Sequence, residues 1–153
     1  MIKNIMVTDD GTEVSHRALG FACEIAKPCG ASITLLHVIE HIEDPDTMIF
    51  RNNQDLIEKA KLMNLGPSSV KNTWQKLAQI KIQKLREQNI KSEYKCLTGD
   101  VAEKILEYTL NEEVDLIIMG SGYRLRGISK IKALGSVTRK VSELATCPVL
   151  IIH

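Results

Sequence analysis

Apolar positions along the chain fall into two rhythms: short, nearly continuous runs, and longer stretches with apolar residues three or four apart. Residues 2–8 (IKNIMVT) are the first short run, β-favourable and largely apolar, and predict a strand. Asp9, Asp10 and Gly11 predict a turn, with Thr12 capping the helix after it. Over 14–27 apolar residues recur at Ala18, Ala22 and Ile25, with Leu19 and Ala26 beside them. That spacing predicts a helix with one buried stripe, stopped by Pro28 and Gly30. Residues 31–39 (ASITLLHVI) are almost continuously apolar and predict a second strand covered on both faces.

Residues 40–67 are the least regular, and their centre, 54–65, reads as a short helix within a long connection. Ser68 or Ser69 is expected to cap the next helix, running to about Gln88 with Val70, Trp74, Leu77 and Ile80 on one stripe. Weak alternation over 91–97 predicts the third strand. Gly99 and Asp100 open a helix over 101–110 with Ala102, Ile105 and Leu106 inward. The fourth strand is expected over 114–119, the last long helix over 136–145 and the fifth strand over 149–152, entered from Pro148.

This alternation implies parallel strands joined by right-handed crossovers, with helices on both faces of the sheet. Such sheets bind ligands at the carboxyl ends of their strands, beside a topological switch point. The expected ends are 8–11, 38–39, 97–99 and 119–122, and the chemically richest belong to strands one and four. The 153 residues are expected to form one domain over 1–153, with no internal repeat or low-complexity tract.

Composition narrows the function classes. A hydrophobic share of 44% and a charged share of 25% are ordinary for a soluble domain, and a net charge of +1 argues against a general nucleic-acid or membrane-surface binder. No apolar run approaches spanning length and the N-terminus lacks an apolar signal core, so a cytoplasmic location is expected. Cys23, Cys29, Cys96 and Cys147 show neither C-x-x-C nor histidines at ligand spacing. They are expected to be reduced, mostly buried thiols, with no metal site.

The strongest chemical signal is the stretch 116–138 (LIIMGSGYRLRGISKIKALGSVT). An apolar strand ends at Met119 and breaks into a loop carrying Gly120, Gly122 and Gly127 among Arg124, Arg126, Lys130 and Lys132. It closes on Gly135, Ser136, Val137 and Thr138, where a helix begins. Unpaired N–H groups and the helix dipole make such a start an anion site, and glycines let the backbone approach a ligand closely. The loop is therefore expected to hold the phosphates of a nucleotide, while the four basic side chains read as a solvated face. His37 reads as a satisfied strand histidine and Trp74 as a core or interface residue.

Rival motifs fail. Gly120-x-Gly122 lacks the third glycine of the dinucleotide fingerprint and follows the fourth strand, and neither a P-loop nor a nucleophile elbow is present. No general base is placed to activate water, so any turnover is expected to be slow.

Four motifs in order carry a resemblance: VTDDGTEVSHRAL, LTGDVAEKIL, DLIIMGSG, and LGSVTRKV followed by CPVLII. Together they resemble the universal stress protein family over essentially the whole chain. The resemblance implies a flavodoxin-like or Rossmann-like five-stranded parallel sheet in order 3-2-1-4-5, commonly dimerised through the last strand's edge. It also implies ATP held by a Gly-x-x-Gly-x9-Gly-(Ser/Thr) signature. Gly120 and Gly135-Ser136 fit that signature's ends, but Tyr123 stands at its second glycine and the loop is two residues longer, with Gly122 or Gly127 as the stand-in.

By the same resemblance Asp10 meets the adenine and ribose, Thr8 and Asp9 line the base, and Val38 packs on the nucleotide. Met119 precedes the first glycine, and Ser136, Val137 and Thr138 meet the phosphates. The leading expectation is a cytoplasmic homodimer that binds ATP (or ADP or AMP) with Mg²⁺ and acts as a stress-response regulator. Hydroxyls of Ser136 and Thr138, with amides of Gly120, Gly122, Gly135 and Val137, would hold the phosphates. The alternatives are a nucleotide-free dimeric interaction module and a slow ATP hydrolase or self-phosphorylating protein.

Overall fold

The computed structural model describes residues 1–40, 67–122 and 134–153. Five strands, β1 (Asn4–Thr8), β2 (Ser32–Ile39), β3 (Ser92–Thr98), β4 (Leu116–Gly120) and β5 (Val149–Ile152), form one parallel sheet in the order β3-β2-β1-β4-β5. Between them run α1 (Glu13–Cys29), α2 (Pro67–Glu87), α3 (Val101–Asn111) and α4 (Ser136–Leu144). The expected sheet order and helix placement are both found. The short helix expected over 54–65 lies outside the described residues.

Register follows from the pleat. Val7 pairs with Leu35 on one side and Ile118 on the other, so residues of one parity face the same layer. Ile5, Val7, Ile33, Leu35 and Ile118 pack with Ala18, Ala22 and Ala26 of α1 and with Ala78, Ile82 and Leu85 of α2. Met6, Leu36, Ile117 and Met119 pack with Ala102 and Ile105 of α3 and Val141 of α4. Both faces are thus covered, which is why the strands read as apolar runs rather than alternations. Each fully buried Ile, Leu or Met contributes about 1.5–3 kcal/mol.

Three local details differ from expectation. Pro28 lies inside the last turn of α1 rather than ending it. Gly30, left-handed at φ 64, then closes the helix by donating to Ala26 and Lys27 carbonyls. Helix α2 begins at Pro67, ahead of the two serines expected to cap it, and proline's fixed φ suits a first helical position. Its buried stripe is Trp74, Ala78, Ile82 and Leu85, while Leu77 and Ile80 are exposed. The helix is apolar on more than one face, and the sheet selects which face is buried.

Candidate functional site

All five strands are parallel, so their carboxyl ends share one edge, and the order reverses between β1 and β4. At that edge the chain leaves β1 through Asp9, Asp10 and Gly11, the last left-handed at φ 75. The Thr12 hydroxyl caps α1 by accepting from the Ser15 amide at 3.2 Å. Exposed Asp10 accepts from the Thr12 amide at 3.0 Å and the Thr12 hydroxyl at 2.6 Å.

Strand β4 ends against the start of α4. Buried Ser121 donates its amide to Ile152 and accepts the Gly135 amide at 2.8 Å. Gly122 is left-handed at φ 71, and a β-carbon on it would meet the Thr138 hydroxyl oxygen at 3.1 Å. A β-carbon on Gly120 would meet a Val14 methyl at 3.0 Å, so β4's end also lies tight against α1. The absence of side chains here is what lets the end of β4 lie against the α4 start backbone to backbone and against the Val14 side chain of α1.

Helices α1 and α3 begin on side-chain caps, from Thr12 and from Asp100, which accepts the Glu103 amide at 2.8 Å. Helix α4 begins on Gly135 with no side-chain cap. Among the described residues no side chain caps its first-turn N–H groups, and such a helix start is the condition for an anion site. Beside them Val38, Met119 and Val137 pack into one apolar cluster with Leu97 and Val101. A polar helix start and an apolar floor stand side by side.

The residues singled out from sequence thus separate into groups. Thr8, Asp10, Val38, Met119, Gly120, Gly122, Gly135, Ser136, Val137 and Thr138 lie at the carboxyl edge. Gly127, with Tyr123, Arg124, Arg126, Lys130 and Lys132, lies outside the described residues. Two members of the edge group have their polar atoms committed within the protein. The Gly135 amide donates to Ser121, and the buried Thr138 hydroxyl donates to the Gly120 carbonyl at 2.9 Å. Their contribution is to tie the strand end to the helix start.

Asp9 is not brought to the group. Its side chain is buried and points to the opposite face, toward α1 and α2. There it pairs with Lys81 at 2.5 Å and accepts from the Gly11 amide at 3.0 Å and the Ser15 hydroxyl at 3.2 Å. Burial by itself raises the Asp9 carboxyl, but the charge and hydrogen bond of Lys81, the Gly11 amide and His37 outweigh it and hold the group below its ordinary 3.8. His37 shares this face, with Nδ1 donating to the Asp9 carbonyl at 2.6 Å and its ring stacked on Trp74 at 3.9 Å. Burial pushes His37 below its ordinary 6.5, against the pull of the Asp9 carbonyl and nearby carboxylates.

Sequence reasoning does not find Lys81. Its signal is a lysine between Ile80 and Ile82, beside the stripe Trp74, Ala78, Ile82 and Leu85, but the apolar spacing favours the competing stripe through Leu77 and Ile80.

The thiols are free, as expected, but less enclosed: Cys29 is exposed and Cys23, Cys96 and Cys147 are half-buried. Burial raises Cys23 and Cys147, which keeps both protonated. Among the described residues no three His, Cys, Asp or Glu side chains gather to hold a metal ion. No helix among them is long and apolar enough to cross a membrane.

Comparison with known proteins matches residues 1–153 to the universal stress protein family. The chain is 32% identical to the universal stress protein YxiE of Bacillus subtilis, with 100% of both chains covered. Among solved structures it resembles the universal stress protein UspA of Lactobacillus plantarum, with a TM-score of 0.67 and 22% identity over 99% of this chain and 97% of that one. It also resembles an Arabidopsis thaliana family member with AMP bound, with a TM-score of 0.60 and 22% identity over 98% and 90% of the two chains. A third likeness is to an Archaeoglobus fulgidus universal stress protein in complex with dAMP, with a TM-score of 0.58 and 19% identity over 100% and 98%.

Proposed function

This chain belongs to the universal stress protein family, and on that premise we propose that it binds an adenine nucleotide, ATP with Mg²⁺ in the first instance, as a stress-response regulator. The observation that carries the reading is the start of α4. It lacks a side-chain cap, sits against Gly122, and adjoins the apolar cluster of Val38, Met119 and Val137. That pairing suits a ligand with an anionic end and a flat, weakly polar base. The AMP and dAMP complexes of its structural relatives support the same ligand class.

In this reading the phosphates lie on the amides of Ser136 and Val137 and the Ser136 hydroxyl. The base lies over Val38 and Met119, with Thr8 at its border, and Asp10 meets the ribose or the base edge. The Mg²⁺ takes its ligands chiefly from phosphate oxygens and water, the ordinary arrangement for this ion. In this reading the nucleotide serves as a signal. A second copy of the chain pairs along the free edge of β5, in the cytoplasm; sedimentation equilibrium tests the pairing.

Calorimetric titration with ATP, ADP and AMP, with and without Mg²⁺, tests the proposal. The parent protein is expected to bind and Asp10→Ala to bind about tenfold more weakly, the loss of one charge-assisted contact. No heat of binding at millimolar nucleotide from the parent protein ends the reading.

A further inference from the structure

The side chains that bind α2 to the end of β1 lie across the sheet from the nucleotide edge. Lys81 lies beside the buried stripe of α2, and its side chain and that of Asp9 are 15% and 4% exposed. Trp74, on that stripe, stacks on His37, whose Nδ1 donates to the Asp9 carbonyl. The Asp9 amide donates to the Leu36 carbonyl at 2.8 Å, and its other carboxylate oxygen holds Gly11 and Ser15. Every polar group of Asp9 is therefore held, and α2 holds the carboxylate directly and the carbonyl through His37. The next residue in the chain is Asp10.

We infer that Lys81 is a positioning residue for the nucleotide turn: through Asp9, with Trp74 and His37 as its brace, α2 sets the path of residues 9–12 and so the presentation of Asp10. The ligand in this inference rests on the adenine-nucleotide reading above; the setting of the turn does not.

The physical reason is that a carboxylate this buried has to be paired. Without Lys81, Asp9 would relieve its charge by swinging the chain toward water. Gly11, already left-handed, offers the least resistance to that swing, and Asp10 would be carried along. Displacements of about 1 Å are enough to lose a directed contact. Coupling between sites is reciprocal, so a nucleotide at the edge tightens α2 on the far face by the same factor.

Amide hydrogen exchange of the unliganded protein, followed by NMR, tests the turn. In folded Lys81→Met the Gly11 and Thr12 amides are expected to exchange about tenfold faster while those of β4 and α4 keep parental rates. Affinity for ATP falls by a similar factor, and Lys81→Arg restores both. Parental exchange at Gly11, or one uniform acceleration that includes α4, overturns the inference, since uniform loss is only lowered stability.

Should Lys81→Met not fold, Lys81→Gln is read by the same criteria. A measurement on the parent stands beside it: saturating ATP is expected to slow exchange in α2 over residues 78–87, and bound ATP with unchanged α2 rates overturns the coupling. A parent that binds no ATP defeats the functional reading alone, and the Gly11 rates still decide the positioning.

Discussion

Gly135 and Gly122 meet backbone to backbone: a β-carbon at 135 would lie 3.0 Å from the Gly122 carbonyl oxygen and 3.1 Å from its carbonyl carbon. The contact joins the end of β4 to the start of α4 and brings the helix start over the strand end. Here glycine is required by proximity, since Gly135 itself has φ −63, a conformation any residue adopts.

Gly135→Ala therefore isolates the contact from backbone strain. Overpacking against a peptide group costs about 1–3 kcal/mol, or about 2–4 °C of Tm per kcal/mol in a chain this long. Nucleotide affinity should fall with it. Thermal unfolding followed by circular dichroism checks the first, and an unchanged Tm would show that the two peptides can part without cost.

Thr138→Val keeps the side chain's shape but leaves the Gly120 carbonyl without its hydroxyl donor. An unmet buried acceptor costs about 1–3 kcal/mol. Thr138→Ser keeps the bond and loses one methyl, about 0.8 kcal/mol. Urea unfolding should rank the three proteins parent, Ser, Val. A valine variant as stable as the serine variant would deny the bond its role.

Asp10→Ala separates ligand contact from folding. Asp10 is exposed and bonds only with Thr12 among the described contacts. Its removal should change stability by no more than about 1 kcal/mol, far less than its effect on nucleotide binding. Equal losses in both would make Asp10 a turn residue only.

Acid should weaken the fold in two separate windows. His37 is depressed below 6.5 by burial, so its folded form favours the neutral ring; as pH falls through 6.5 the unfolded chain takes up a proton first, and stability is lost down to the depressed value. Asp9 is held below 3.8 by Lys81 against its burial, so its contribution is present above that value and is lost as pH falls through the lowered one. Urea midpoints at about pH 7.5 and about pH 5.5 bracket the histidine window. His37→Leu should flatten the difference between them, and an equal slope in parent and variant would place the proton elsewhere.

The legible parts of the fold were those written in short range. The turn at Asp9–Thr12, the Thr12 and Asp100 caps, and the left-handed close of α1 at Gly30 each depend on residues within one helical turn of each other. The apolar runs of β1, β2 and β4 were legible because covering both faces leaves a run with nothing to alternate. Helix α2 failed the same treatment. Its apolar residues supply two competing stripes, and nothing local says whether Leu77 or Ala78 turns inward. Asp9 failed for a related reason: an acidic residue next to a binding turn suggests a ligand, and its partner stands at Lys81, far along the chain.

By itself the chain's order of residues determined five parallel strands, the helices between them, and an edge where glycines precede a helix start. Period and capping are local, and they survive without knowledge of what packs on what. Only the tertiary structure decided which face each strand-end side chain takes, sending Asp9 and His37 to α2 while Val38 and Met119 join the apolar cluster on the other face. It also decided that Gly135 and Thr138 spend their donors on the strand end. Those outcomes turn on the pleat and on contacts between distant segments, where burial of a charge or a peptide group has to be answered by whichever element lies opposite.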